Sequence, residues 1–282
     1  MLDPTLQKTM QLDLSPEQLR QEANRLRAIA AKYEELAQLL EGGSIAKPAL
    51  EHLEGLAVLE GKPPVKKKGE SWRRVILAAA TFGESTFSAS DIVSALDKEV
   101  PEQTVYAIFR RDQGRDFVNV GPDPNNGRVT LFRLKGYSWI FTYGINMNAR
   151  HLLTEFKKRN FDFNALVVGA LIADLPDAKL SWRNKSSKWG GGTATYENVS
   201  GAQLPGIAYL VRDPLGVQAF EAKEKPAYLP ERRNITIAGR SVPAIVFNVS
   251  NARRERKDVS PTPQYVTLLA AGAREHGLEI DI

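Results

Sequence analysis

At 282 residues, 43% hydrophobic and 25% charged, the chain is long enough for about two globular domains and too apolar for disorder throughout. It has no cysteine, and its three histidines (His52, His151 and His276) are too widely spaced for any helical ligand pattern, which excludes disulfides, thiol catalysis and cysteine-bound zinc and argues against a metal site. A net charge of +5 with a pI near 9.3 suits an acidic partner without identifying one; no apolar run approaches the roughly 20 residues of a membrane span, and the first 14 residues lack the order of a secretory signal, so a cytoplasmic protein with no membrane partner is expected.

Residues 1–60 read as helical. Ser15, Pro16 and Gln18 form a start signal with a capping box, and Gly42-Gly43 is the stop. Between them Leu19, Ala23, Leu26, Ala30, Tyr33, Ala37 and Leu40 alternate spacings of four and three, the repeat of a coiled-coil seam. Two readings stand: a homodimer through the 15–41 helix, or a stripe packed on the protein's own core. Residues 61–70 carry two prolines and three consecutive lysines and read as a basic linker.

Over residues 71–136, Trp72, Val75, Ile76 and Ala79 form one helical face. Ser90-Asp91 opens a second helix with Ile92, Val93 and Leu96, and Pro101 a third with Val105, Ile108 and Phe109 inward. Two strand-like runs, Phe117 to Val120 and Val129 to Leu134, flank a turn region containing Asn126-Gly127. Three helices followed by a hairpin resemble a winged helix-turn-helix domain. That resemblance implies double-stranded DNA as a partner, read by Gln103, Thr104, Tyr106, Arg110 and Arg111 of the third helix, with Arg128 of the wing on phosphate. Glu99, Glu102, Asp112 and Asp116 oppose phosphate contacts, so a protein-interaction role stays open beside DNA binding.

Residues 137–282 carry the chemistry. The aromatic strand-like run Trp139 to Tyr143 ends at Gly144, and a helix is expected from about Ala149 to Lys158. A strand-turn-helix of this kind exposes backbone N–H groups suited to a carboxylate or an oxyanion. Tyr143-Gly144-Ile145-Asn146-Met147 resembles the Tyr-Gly-Ser-Asn-hydrophobic loop of γ-glutamylcyclotransferases, and Trp189 to Thr195 resembles their Trp-x-Gly-Gly-x-Ala-Thr stretch. Gly206 to Tyr209, Phe220 to Glu224, and Pro261 to Tyr265 followed by Gly272 to Leu278 are similar to later blocks of the same family, in the same order.

The resemblance implies an α+β chain: a long N-terminal helix and a winged helix-turn-helix domain, then a mixed β-barrel with flanking helices. It implies a reaction that needs no metal and no cofactor. The α-amine of a γ-glutamyl amine or peptide attacks its own γ-carbonyl and releases 5-oxoproline. Glu224 matches the family's catalytic glutamate, and Tyr143, Gly144, Ile145, Asn146, Tyr228 and Tyr265 are the expected substrate-binding residues. The sequence departs from the pattern where Ile145 replaces Ser, Phe220-Glu221 replaces Leu-Asp, and Lys225-Pro226 replaces Gly. A catalytically inactive, small-molecule-sensing DNA-binding regulator is therefore the alternative, and the basic run Arg253 to Lys257 reads as a solvated loop or a nucleic-acid contact.

Overall fold

The stripe Val75, Ile76 and Ala79 is the buried face of helix α1 (Glu70–Ala80) in the computed structural model, which describes residues 69–278 and residue 280. The expected 15–41 helix and all but the last two residues of the 61–70 linker lie outside the described residues.

Helix α2 (Ala89–Ala95) starts earlier than the Ser90-Asp91 pair suggests, because Ser88 is the residue three before an acid. Its hydroxyl accepts from the Asp91 amide at 3.2 Å, and the Asp91 carboxylate accepts from the Ser88 amide at 2.7 Å, a reciprocal cap. Helix α3 (Glu102–Arg111) follows Pro101 and buries Val105, Ile108 and Phe109.

Strands β1 (Phe117–Asp123) and β2 (Asn126–Leu134) form an antiparallel hairpin with Asp123 opposite Asn126. The turn is therefore Pro124-Asn125, and Asn126-Gly127 begins β2. Pro124 is preset for the first turn position, and the Asp123 carboxylate accepts from the Asn125 amide at 2.8 Å, which outcompetes the Asn-Gly signal. Phe109 joins helices to hairpin, its ring 4.6 Å from Phe117 and 4.5 Å from Phe132.

The rest is a five-stranded closed barrel in the order β3-β5-β4-β6-β7. Strand β3 (Tyr137–Thr142) pairs antiparallel with β5 (Gly191–Arg212) and parallel with β7 (Arg240–Val249). Strand β4 (Val167–Ser186) runs almost its whole length against β5, and β6 (Tyr228–Ile237) pairs with β7. Residues such as Ile140, Ile207, Ala208, Ile235 and Val246 are fully buried; continuous apolar runs of this kind are what strands covered on both faces require.

Helices α4 (Ala149–Lys157), α5 (Phe163–Leu166), α6 (Leu215–Glu224) and α7 (Pro263–Glu275) flank the barrel. The basic run after β7 is laid along β4, where the Glu255 amide donates to the Arg183 carbonyl and the Val259 amide to that of Trp182, at 2.9 and 3.1 Å. Among the described residues no helix is long and apolar enough to cross a membrane.

The helical segment is joined to the barrel by polar contacts. Trp139 Nε1 donates to the Ala80 carbonyl at 3.0 Å, the Tyr137 hydroxyl to Asp116 at 2.9 Å, and Arg240 to the Thr81 hydroxyl at 3.0 Å. Arg212 pairs with Asp116 at 3.6 Å while lying 5.2 Å from the ring centres of both Trp72 and Tyr137.

Candidate active site

One end of the barrel opens into a cavity of about 340 Å³. Separate stretches of sequence meet there. Strand β3 delivers Tyr143 and Gly144, which lead through a single 3₁₀ turn, Ile145–Met147, into α4, whose first turn is capped by the Asn148 side chain accepting from the His151 amide at 2.9 Å. The β4–β5 hairpin tip brings Lys188 and Trp189, the end of α6 brings Lys223 and Glu224, and α7 brings Tyr265.

Close packing fixes this arrangement. A side chain at Gly192 would place its Cβ 1.9 Å from the Val259 carbonyl oxygen, and one at Gly272 would meet the Asn148 amide nitrogen at 2.5 Å. Both glycines are therefore required by close chain crossings, which seat the segment before α7 on the start of β5 and α7 itself on the end of the Gly144–Asn148 loop.

Glu224 is nearly buried, 9% exposed. Its Oε1 accepts from Asn146 Nδ2 and, at 3.0 Å, from Lys223 Nζ. Asn146 Oδ1 is buried and without a hydrogen-bond partner among the described residues, so this amide is aimed by Glu224 and offers a free acceptor beside the carboxylate. All seven residues expected at the chemical site (Tyr143, Gly144, Ile145, Asn146, Glu224, Tyr228 and Tyr265) line the one cavity.

The three tyrosines do different work from that of free polar contacts. The Tyr143 hydroxyl donates to the Phe247 carbonyl at 2.7 Å, Tyr228 donates to the Ala194 carbonyl at 2.9 Å and shares a hydrogen bond with Thr193, and Tyr265 accepts from the Ala194 amide at 3.0 Å. Burial pushes all three phenols up, Tyr228 to about 12, so they stay neutral and serve as walls and props. Ile145 is also buried.

Several polar residues of the cavity were missed from the sequence. Glu155, 4% exposed, pairs with Lys158 and Arg159 at 2.9 Å each and with Lys188 at 3.4 Å. Burial pushes its carboxyl up, but these cations more than offset that and hold it at about 2. Arg159 also donates to the Ala222 carbonyl at 3.3 Å, so Glu155 links α4, the hairpin tip and α6. His151 lines the same cavity with its Nε2 buried and unpartnered among the described residues. Burial and then the charge of Lys223 lower its pKa to about 4, leaving a neutral imidazole at pH 7. The i, i+4 spacing of His151, Glu155 and Arg159 was the available signal; Lys188 left none. Among the described residues no three histidine or acidic side chains gather as a metal site.

The residues expected on nucleic acid are distributed as follows. Gln103, Arg110 and Arg111 are exposed on α3, Thr104 and Tyr106 on that helix are half-buried, and Arg128 is exposed on β2. Arg111 is engaged within the chain, donating to the Asp112 carboxylate at 2.7 Å, and Arg110 makes no such pair among the described residues.

No family model matches the chain, and no curated protein matches it. Solved structures do. One described as a γ-glutamyl cyclotransferase is 21% identical, with a TM-score of 0.41, over 50% of this chain and 81% of that one. An uncharacterized human protein is 23% identical, with a TM-score of 0.42, over 52% of this chain and 83% of that one. A yeast γ-glutamyl cyclotransferase described as specific to glutathione is 10% identical, with a TM-score of 0.37, over 51% and 90%. The chain is thus similar, over about half its length, to solved structures of γ-glutamyl cyclotransferases.

Proposed function

We propose that this chain is a γ-glutamylcyclotransferase-type enzyme that releases 5-oxoproline from a γ-glutamyl amine or peptide. The observation that carries the reading is the pairing of Glu224 with Asn146, two residues far apart in sequence, inside a cavity that also takes in the Tyr143–Asn146 loop. The cavity's size falls in the range of small-molecule sites.

The chemistry asks little of such a site. The substrate's α-amine loses a proton to the Glu224 carboxylate and attacks its own γ-carbonyl carbon, closing a five-membered ring. Holding the chain folded for that attack supplies a large effective molarity. Backbone N–H groups of the Gly144–Asn146 turn steady the oxyanion. The C–N bond to the leaving amine then breaks as Glu224 returns the proton, so the bond formed and the bond broken are both to nitrogen and no water is consumed. Asn146 Nδ2 fixes Oε1, leaving Oε2 for the proton, and Asn146 Oδ1 accepts from the other N–H of the α-amine.

In this reading the three helices and hairpin act as a winged-helix module that binds duplex DNA or a protein partner, with exposed Gln103, Arg110 and Arg128 available for contact. The alternative, an inactive ligand-sensing regulator, is favoured by Lys223, whose ion pair with Glu224 competes for the same carboxylate.

The deciding experiment compares 5-oxoproline release by the wild-type chain and by Glu224→Gln over a panel of γ-glutamyl amines and dipeptides. A loss of roughly 10²–10⁴-fold in the variant, with an unchanged thermal melt, is expected. No release by folded wild type, together with ligand-dependent duplex binding, moves the assignment to the regulator.

A further inference from the structure

A second cavity, of about 490 Å³, lies where the helical segment meets the barrel, and no residue lines both cavities. Its origin is a parting of strands. Strands β3 and β7 pair only from Trp139 and Ala244 onward to Phe141 and Val246. Just before that run Pro243 has no N–H to donate, and the turn after α1 packs on it closely enough that a Cβ added at Gly83 would lie 3.2 Å from the Pro243 ring. The cavity beside this seam is lined also by Glu84 and Arg133 of the helical segment and by Arg232 of β6.

We infer that this cleft is a binding site for a small amphipathic acid, a compact aromatic or aliphatic body bearing one carboxylate or phosphate. The apolar wall is Leu134, Trp139, Leu210 and Ile245, which accepts the body. The head is selected by charge: Arg133 and Arg232 are the basic residues of the lining and Glu84 its one acid. Two guanidiniums are matched in shape to carboxylate and phosphate oxygens.

These two arginines also differ from their neighbours at the junction. Arg212 is held by Asp116 between two rings, and Arg240 is held by Thr81 with its guanidinium 3.9 Å from the Phe82 ring centre. Arg133 and Arg232 are exposed, and their side chains make no hydrogen bond or ion pair with another described residue. Cavities with apolar walls and a few convergent polar groups between substructures are where small ligands bind. An acid held here touches the helical segment through Arg133 and the barrel through Arg232, so its binding tightens the junction between them.

The test titrates the full-length chain with benzoate and with phenyl phosphate, using benzamide as the uncharged control, by calorimetry and by tryptophan fluorescence, since Trp139 lines the cleft. Saturable binding of an acid, weakened about tenfold or more in the Arg133→Gln/Arg232→Gln double variant, unchanged in Glu224→Gln and absent for benzamide, is expected. Which of the two acids binds tighter separates carboxylate from phosphate as the head group. Both substituted side chains are exposed, and a thermal melt verifies that the double variant folds. Absence of saturable binding of either acid at millimolar concentration overturns the assignment. So does equal binding by the double variant, or loss of binding in Glu224→Gln.

Discussion

The junction and the first cavity handle buried polarity in opposite ways. At the junction Asp112 and Asp116 are 1% and 2% exposed, and each has partners: Arg111 and Arg115 on Asp112, and Arg115, Arg212 and the Tyr137 hydroxyl on Asp116. Trp72 Nε1 is the one buried side-chain atom left over there among the described residues. In the cavity, Asn146 Oδ1 and His151 Nε2 are both buried and unpartnered. An unmade hydrogen bond on a buried group costs about 1–3 kcal/mol. A protein that completes one polar network and leaves another open has built the first for stability, and the second is where a ligand would complete the set.

Substitutions sharpen that contrast. The largest effect is expected at the junction, where Asp116→Ala strands the Tyr137 hydroxyl and removes the carboxylate that Arg212 faces, costing about 3–5 kcal/mol in chemical denaturation. Asp116→Asn keeps a hydrogen-bond acceptor for Tyr137 and is expected to cost less than half as much. If the two variants melt alike, the charge rather than the hydrogen bond secures the junction.

In the cavity the order reverses. Asn146→Ala deletes an unpartnered acceptor along with the donor to Glu224, so stability is expected to stay within about 1 kcal/mol of wild type. Release of 5-oxoproline is expected to fall roughly 10–100-fold, through loss of carboxylate orientation. A large fall in stability with unchanged turnover would make Asn146 a structural residue and break the contrast.

How much of this was legible follows from what each signal depends on. The strand-turn-helix at Tyr143–Asn148 is local: an aromatic run, a glycine and an asparagine cap lie side by side in the chain, and the structure follows them closely. The hairpin was also read, but its turn was displaced by two residues because the Asp123-Pro124 pair makes a better local turn than Asn126-Gly127. Gathering of the site residues rested on a family resemblance, since no periodicity links Asn146 to Glu224. Glu155 and Lys188 stayed hidden because their pairing crosses from a helix to a hairpin tip, and the tip is positioned only by the full length of the β4–β5 ladder. The cleft at the junction was invisible for a similar reason: it is a gap between paired strands, and sequence patterns record pairing and not its absence.

The smallest expected effect concerns pH. His151 is neutral in the folded protein and its pKa is lowered to about 4 by burial and by Lys223, whereas an unfolded histidine titrates near 6.5. Below about pH 6.5 the unfolded chain binds a proton that the folded chain refuses, so acid drains stability from the wild type until about pH 4, where both states are protonated. His151→Gln has no such titration. The stability difference between the two proteins is therefore expected to shift in the variant's favour by about 1–2 kcal/mol between pH 7 and pH 4, a figure discounted for the ring's partial contact with solvent. Glu155, held at about 2, loses its stabilising pairs only from about pH 4.5 downward, and it does so in both proteins, so it cancels from the comparison. Urea midpoints measured at half-unit steps over that range read the difference directly. Parallel curves for the two proteins would mean that water reaches the imidazole and lets it take up a proton in the folded state, and the open face of the cavity would then lie at Asn146 alone.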